Sequence, residues 1–153
     1  MGCDIHAYTE RKNDDGQYEV VGDFLSDGRS YAVFGFLAGV RNYSEITPIS
    51  EPRGIPADAS PSIKSHHERW SDDAHSASWL STDELINFDY LAMCEDRRCS
   101  VEVAPRMFNG GCTCNAGDGL FQTYKDFLGE WYFSEVQKAI DEGATRIVFW
   151  FDN

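Results

Sequence analysis

Long apolar runs are missing from this sequence, and their absence limits where the protein can work. No stretch of about 18 consecutive apolar residues occurs, so the sequence predicts no membrane span and no membrane partner. The first residues also lack a basic segment followed by an apolar stretch, which is the pattern of a secretory signal. We therefore expect a cytoplasmic protein.

Basic residues are scarce in this chain. It has 13 Lys and Arg against 26 Asp and Glu, which gives a formal net charge of −13. A negative field of this size repels phosphate backbones, so we expect no direct binding of nucleic acid. The same field would attract a basic surface on another protein. The alternative is an acidic, solvated surface that only keeps the protein soluble.

Recognised hydrolase signatures are absent too, since the chain has no HExxH, no GxSxG and no P-loop. Its five cysteines are an odd number, and a cytosolic setting argues against disulfides. Four of them are spaced as C-x4-C and C-x-C, a pattern that could hold zinc tetrahedrally, and the alternative is buried or free thiols. The candidate zinc ligands are Cys94, Cys99, Cys112 and Cys114.

The first half of the chain shows clear strand and helix patterns. Side chains alternate with period two over residues 3–11, a turn follows at 13–16, and a second strand returns at 18–21. The run YAVFGFLAGV is apolar all round and predicts a buried helix that begins at Tyr31. The stretch IKSHHERW predicts a short polar helix. Strands followed by helices are typical of an α+β protein.

The second half begins with a capping box. Ser81 and Glu84 have the spacing in which each side chain binds the other's backbone amide at a helix start. Helical spacing then ends at Gly143, and TRIVFWFDN is rich in the β-branched and aromatic residues of strands. Residues 94–119 have a loop-like composition, with a strand expected only at 100–104.

Together these patterns predict an α+β fold in a single domain over residues 1–153. We expect a small, mostly antiparallel sheet packed against the buried helix and a C-terminal helix. The N-terminal and C-terminal strands are expected to be neighbours in that sheet. A Cys-containing loop insertion is expected at about 91–119.

One group of candidate residues carries carboxylate and imidazole side chains. Alternation places Asp4 and His6 on one face of the first strand, with Cα atoms about 6.6–6.8 Å apart. If the last strand pairs antiparallel with the first, Asp152 lies beside them, and His75 can complete a shell for a divalent metal ion. The alternative is a half-exposed strand face, or a core histidine bonded to a carboxylate.

A second group is rich in serine and arginine. HSASW precedes the capped helix, so its side chains are expected in a loop near amides that favour an anion; the alternative is serines that satisfy loop amides. Arginines bordering apolar elements can clamp phosphate or carboxylate, or can neutralise the many acids. The candidate ligand-binding residues are Arg29, Arg41, Arg53, Ser76, Ser78 and Trp79.

Five stretches carry a family resemblance: MGCDIH, RSYAVFGFLAGVRN, PISEPRGIP, HSASWLSTDEL and RIVFWFDN. In this order the chain resembles a family of small bacteriophage and bacterial proteins whose activity is not established. The resemblance covers roughly residues 1–90 and 120–153, and the four-cysteine segment is not part of it. It implies a phage or mobile-element setting, with the host cytoplasm as the location. It also implies that the two candidate groups above, with Asn153, match positions characteristic of the family.

Three functional hypotheses remain open. The first is a phage accessory protein that acts by binding, either to a basic surface of a host protein or to a small nucleotide-like ligand. The second is a metal-dependent hydrolase of the phosphoesterase type that uses the Asp and His residues, with a metal-bound water as nucleophile. The third is a zinc-stabilised structural or interaction protein.

Overall fold

The computed structural model describes residues 2–100 and 113–153, with side chains over 2–98 and 113–153. The elements are, in chain order, β1 (Asp4–Lys12), β2 (Tyr18–Asp23), α1 (Tyr31–Ala38), α2 (Pro61–Trp70), β3 (His75–Ser81), α3 (Thr82–Asn87), β4 (Met93–Ser100), β5 (Gly119–Thr123), α4 (Tyr124–Asp141) and β6 (Arg146–Asp152). The chain has the α+β composition that the sequence predicts.

Two compact units make up the chain. The first contains residues 1–29, 51–88 and 131–153, and the second contains 30–50 and 89–130. The expectation of a single domain stays a prediction. No helix in the described part of the chain is both long enough and apolar enough to span a membrane.

The first unit contains a four-stranded sheet in the order β2-β1-β6-β3. Every neighbouring pair is antiparallel, and Asp4 lies directly opposite Asp152. The predicted pairing of the terminal strands is therefore confirmed. Tight turn chemistry explains the β1–β2 hairpin, because the Asn13 side chain accepts hydrogen bonds from the amides of Asp15 and Gln17.

Strand β6 is the buried centre of this sheet. All its residues from Arg146 to Phe151 are buried, as expected for a strand whose two faces are both covered. Helix α2 covers one face, where Ile63 packs against Val148 and Trp150. Burying side chains of this size stabilises the fold by about 1.5–3 kcal/mol each.

A buried ion pair joins the two central strands. The Arg146 Nε donates to Glu10 Oε1 at 2.9 Å, and the Glu10 side chain has no exposed surface. The second Glu10 oxygen accepts a hydrogen bond from the Ser60 amide at 2.7 Å. This contact satisfies a backbone donor just before α2 begins, so the pair also fixes where that helix starts.

Strand β3 is a difference between the structure and the sequence-based prediction. The sequence predicts a loop over HSASW, but these residues belong to a seven-residue strand, HSASWLS, beside β6. Its register shifts between His75 and Ser78, where Ser76 adopts a left-handed φ of 52°. The capping box that ends it is confirmed, since Ser81 Oγ accepts from the Glu84 amide and Glu84 Oε2 accepts from the Ser81 amide.

The second unit is built from α1, the β4–β5 pair and the start of α4. Helix α1 begins as predicted, with Ser30 as its cap, and all its residues after Tyr31 are buried. The loop expected over 94–119 is wrong at its start, because β4 lies there and pairs antiparallel with β5, which begins at Gly119. Residues 101–104 of the expected strand lie outside the described residues.

Helix α4 is longer than its apolar spacing indicated. It begins at Tyr124 and is interrupted at Gly129, whose φ of 80° and ψ of 168° are non-helical. Only glycine adopts such angles without strain. Gly143 has a φ of 76° just after the helix, which matches its predicted role as the glycine that follows the helix end.

Candidate ligand-binding site

Three of the four histidines gather on the α2-covered face of the first unit's sheet. His6 lies opposite Trp150 in the register, and the two rings stack with centroids 5.6 Å apart. His66 and His67 of α2 place their rings edge-on to the same indole, at 5.3 and 5.2 Å. We call His6, His66, His67 and Trp150 the imidazole cluster. It arises because β1 alternates with period two while α2 crosses above it.

Some of the residues that the sequence predicts as metal ligands lie at one edge of this cluster. His6 Nε2 and Asp152 Oδ2 are 2.7 Å apart, and both side chains are mostly buried. Asp4 is the cross-strand partner of Asp152, but its carboxylate accepts hydrogen bonds from the Arg29 guanidinium at 2.6–2.8 Å. The structure therefore joins His6 with Asp152, as predicted, and pairs Asp4 with an arginine.

His75 is not part of this group. It lies opposite Phe151 and stacks on that ring, and neighbouring residues of a strand point to opposite faces of a sheet. Because Trp150 is on the face of His6, His75 is on the other face. Within the described residues, no three His, Cys, Asp or Glu side chains are placed to hold one metal ion.

A chain of polar contacts connects α2 to β1. Tyr8 Oη and His66 Nδ1 are 2.6 Å apart, and Trp70 Nε1 donates to His66 Nε2 at 3.4 Å. Burial, and next the nearby Asp23 carboxylate, raise the pKa of Tyr8. Burial, together with His6 and Arg69, lowers the pKa of His66. Both shifts favour uncharged side chains at neutral pH.

These contacts form one wall of a cavity of about 420 Å³. Tyr8 and Asp23 line it from the sheet, while Ile63, His66 and Arg69 line it from α2. Volumes of about 300–1,000 Å³ are typical of small-molecule sites, which combine apolar surface with a few polar groups. The cavity therefore has the size and the lining of a site for a small polar ligand.

Sequence reasoning missed the α2 side of this cavity. IKSHHERW was recognised as a polar helix, but no role was assigned to His66 or Arg69. Two signals could have found them. His66 and Trp70 have the four-residue spacing that places side chains on one helix face, and Tyr8 continues the alternation from His6.

The arginine and serine candidates of the first unit mostly contact one another. The Arg53 guanidinium binds Glu84 at 2.5–3.0 Å and lies over the Trp79 ring at 4.8 Å. The Arg53 amide donates to Ser78 Oγ. Hydrogen bonds from Arg53, aided by those from Ser81, hold the pKa of Glu84 down at about 2. These contacts attach the proline-rich segment to β3.

Ser76 and Arg41 have other surroundings. Ser76 Oγ is 3.1 Å from His75 Nδ1, on the strand edge where the register shifts. Arg41 belongs to the second unit, where it has a left-handed φ of 50°. Their role in ligand binding stays a prediction.

The zinc hypothesis concerns the second unit and is only partly described. Cys94 is buried and Cys114 is half-buried, and both are free thiols. Burial raises the pKa of the Cys94 thiol to about 11. Cys112 and the side chain of Cys99 lie outside the described residues, so zinc binding by the four cysteines stays a prediction.

The comparisons with known proteins identify no relative. The chain matches no protein-family model, no curated protein sequence and no solved structure at a significant level. The resemblance to small bacteriophage and bacterial proteins therefore stays a prediction.

Proposed function

We propose that this protein is an accessory protein of the phage type that acts by binding a small nucleotide-like molecule in the cavity between α2 and the sheet. The observation that supports this most is the combination of polar groups around one cavity. Tyr8, Asp23, His66 and Arg69 all line it. A molecule that carries a heterocycle and an anionic group would find a partner for each part.

Two of these side chains have polar atoms available for a ligand. Among the described residues, the Asp23 carboxylate has no hydrogen-bond or ion-pair partner, and the Arg69 guanidinium has only a long contact of 3.5 Å to the Ser65 carbonyl. Arg69 supplies one positive charge to the cavity of a protein whose net charge is −13. This local charge is what an anionic ligand needs on an acidic protein.

The acidic surface supports a different partner, a host protein with a basic surface. Long-range attraction would speed that association but would depend strongly on salt. We favour the small ligand because the cavity supplies specific polar partners, whereas net charge alone does not select a partner. Binding that falls steeply with salt and does not change when the cavity is altered would support the protein partner instead.

Calorimetry with nucleoside 5′-monophosphates, inosine monophosphate included, tests the proposal. We expect binding at 1:1 stoichiometry, and we expect Arg69→Gln to weaken it about tenfold or more because a charge-assisted hydrogen bond is lost. Arg11→Gln is the matched control, since it makes the same charge change at a half-exposed arginine of β1 outside the cavity. Equal affinities for the two variants would refute the proposed site.

The His6–Asp152 contact supports a second candidate, a hydrolase of the phosphoesterase type. A carboxylate 2.7 Å from an imidazole fixes the orientation of the ring. Hydrolysis of a chromogenic phosphate ester, measured with and without Mn²⁺ and in His6→Gln, tests this candidate. We expect His6→Gln to abolish any turnover; turnover that persists in this variant would contradict the role of His6.

A further inference from the structure

We propose that Tyr8 determines the specificity of this cavity by donating a hydrogen bond to the ligand. The inference rests on the proposed function and names the ligand class. The ligand carries a carbonyl or ring-nitrogen acceptor for Tyr8, an N–H donor for Asp23 and an anionic group for Arg69. A nucleoside monophosphate with a carbonyl-bearing base has all three features, and the corresponding nucleoside lacks the anionic group.

The direction of the Tyr8 hydrogen bond follows from Trp70. An indole nitrogen can only donate a hydrogen bond. Because Trp70 Nε1 contacts His66 Nε2, that imidazole nitrogen must accept, and a neutral His66 then carries its proton on Nδ1. The Nδ1–H donates to Tyr8 Oη at 2.6 Å. Tyr8 therefore acts as the acceptor in this contact, and its own O–H remains available to the ligand.

The opposite arrangement would leave the two donors facing each other. If Tyr8 donated to His66 Nδ1, the neutral imidazole would carry its proton on Nε2. That proton would point at the Trp70 N–H, so one partly buried donor would lose its partner. Leaving such a donor unsatisfied is costly. A protonated His66 would meet the same conflict at Nε2, and burial, together with His6 and Arg69, lowers the pKa of His66, which opposes that state.

Asp23 supplies the complementary group. It is the cross-strand partner of Tyr8, so the two side chains project from the same face of the sheet. An ionised carboxylate only accepts hydrogen bonds. The sheet therefore presents one donor and one acceptor to the cavity, and α2 presents the Arg69 cation. A ligand with only acceptors would leave Asp23 unpaired, which lowers affinity.

Nitrogen NMR tests the hydrogen-bond direction without any ligand. In protein labelled with ¹⁵N-histidine, we expect His66 to show the neutral tautomer protonated on Nδ1 at pH 7.5. In Trp70→Phe, which removes the indole donor and keeps an aromatic ring, we expect the tautomer to shift toward protonation on Nε2. His66 protonated on Nε2 in the unmutated protein would overturn the inference.

Binding of inosine monophosphate tests the consequence. We expect Tyr8→Phe to weaken binding about tenfold, because the ligand's acceptor loses its donor. Tyr18→Phe is the matched control, since it removes a hydroxyl from β2 outside the cavity and should bind normally. If Tyr8→Phe binds as tightly as the unmutated protein, the role of Tyr8 is refuted. If the unmutated protein binds no nucleotide, the proposed function and the ligand class are refuted together.

Discussion

Replacing Glu10 with glutamine should destabilise the protein strongly, because it removes one charge from a buried pair. Glu10 is 0% exposed and Arg146 is 5% exposed, so Arg146 would keep its charge away from water. Breaking a buried ion pair from one side costs about 3–5 kcal/mol. Arg146 retains a 2.9 Å contact with Asp58, whose side chain is 64% exposed. We therefore expect the free energy of unfolding to fall by an amount near the lower end of this range, about 3 kcal/mol.

Urea unfolding followed by tryptophan fluorescence measures this loss. The midpoint should fall by more than about 1 M, with little change in the slope. Glu19→Gln is the matched control, because Glu19 pairs with Arg11 at 3.5 Å and both are nearly half-exposed. Exposed pairs contribute about 0–1 kcal/mol. If Glu10→Gln lowers the free energy of unfolding no more than Glu19→Gln does, the stabilising role of the buried pair is refuted.

Two further predictions concern the start of α3. Ser81→Ala should lower the free energy of unfolding by about 1 kcal/mol, because the Glu84 amide loses its cap; a midpoint unchanged in urea would contradict this. Glu84→Gln tests the Arg53 contact. The pKa of Glu84 is lowered from 4.5 to about 2, so its stabilisation, about 1 kcal/mol after screening, is present above pH 4.5 and lost as the pH falls toward 2. In thermal unfolding from pH 7 to 2, the difference in melting temperature between the variant and the unmutated protein should disappear at low pH. A difference that persists at pH 2 would refute the stabilising role of the ionised Glu84.

Local patterns predicted much of the fold correctly. The alternation over β1, the start of α1 at Tyr31 and the Ser81 capping box each depend on residues a few positions apart, and each is found in the structure. The pairing of β1 with β6 was also predictable, because both are strands with strong periodicity. Short-range rules work here because the chain's local preferences agree with its tertiary contacts.

Two of the strands that the sequence analysis missed, β3 and β4, have sequences that hide the strand pattern. In β3, the left-handed Ser76 interrupts the alternation, and three serines in seven residues resemble turn chemistry. In β4, half of the sequence MCEDRRCS is charged, so it resembles a solvated loop. Its Asp96 is nonetheless buried and paired with Arg98 at 2.8 Å, a compensation that no local pattern reveals.

The candidate site was predictable only where it depended on strand geometry. His6 and Asp152 meet because both terminal strands follow period two. His75 failed to join them because the irregular start of β3 places it on the other face. The Tyr8–His66 contact joins residues 58 positions apart, on a strand and a helix whose packing the sequence does not specify. Tertiary packing therefore decides most of the cavity.

The central position of β1 and β6 has a consequence for synthesis on the ribosome. Glu10 and Arg146, which pair across these strands, are 136 positions apart, so β1 emerges long before its inner neighbour exists. Until β6 is released, β1 has only β2 beside it, and an isolated two-stranded hairpin is marginally stable in water. Nascent chains stalled before β6 would expose an open strand edge, which is a template for association with other chains.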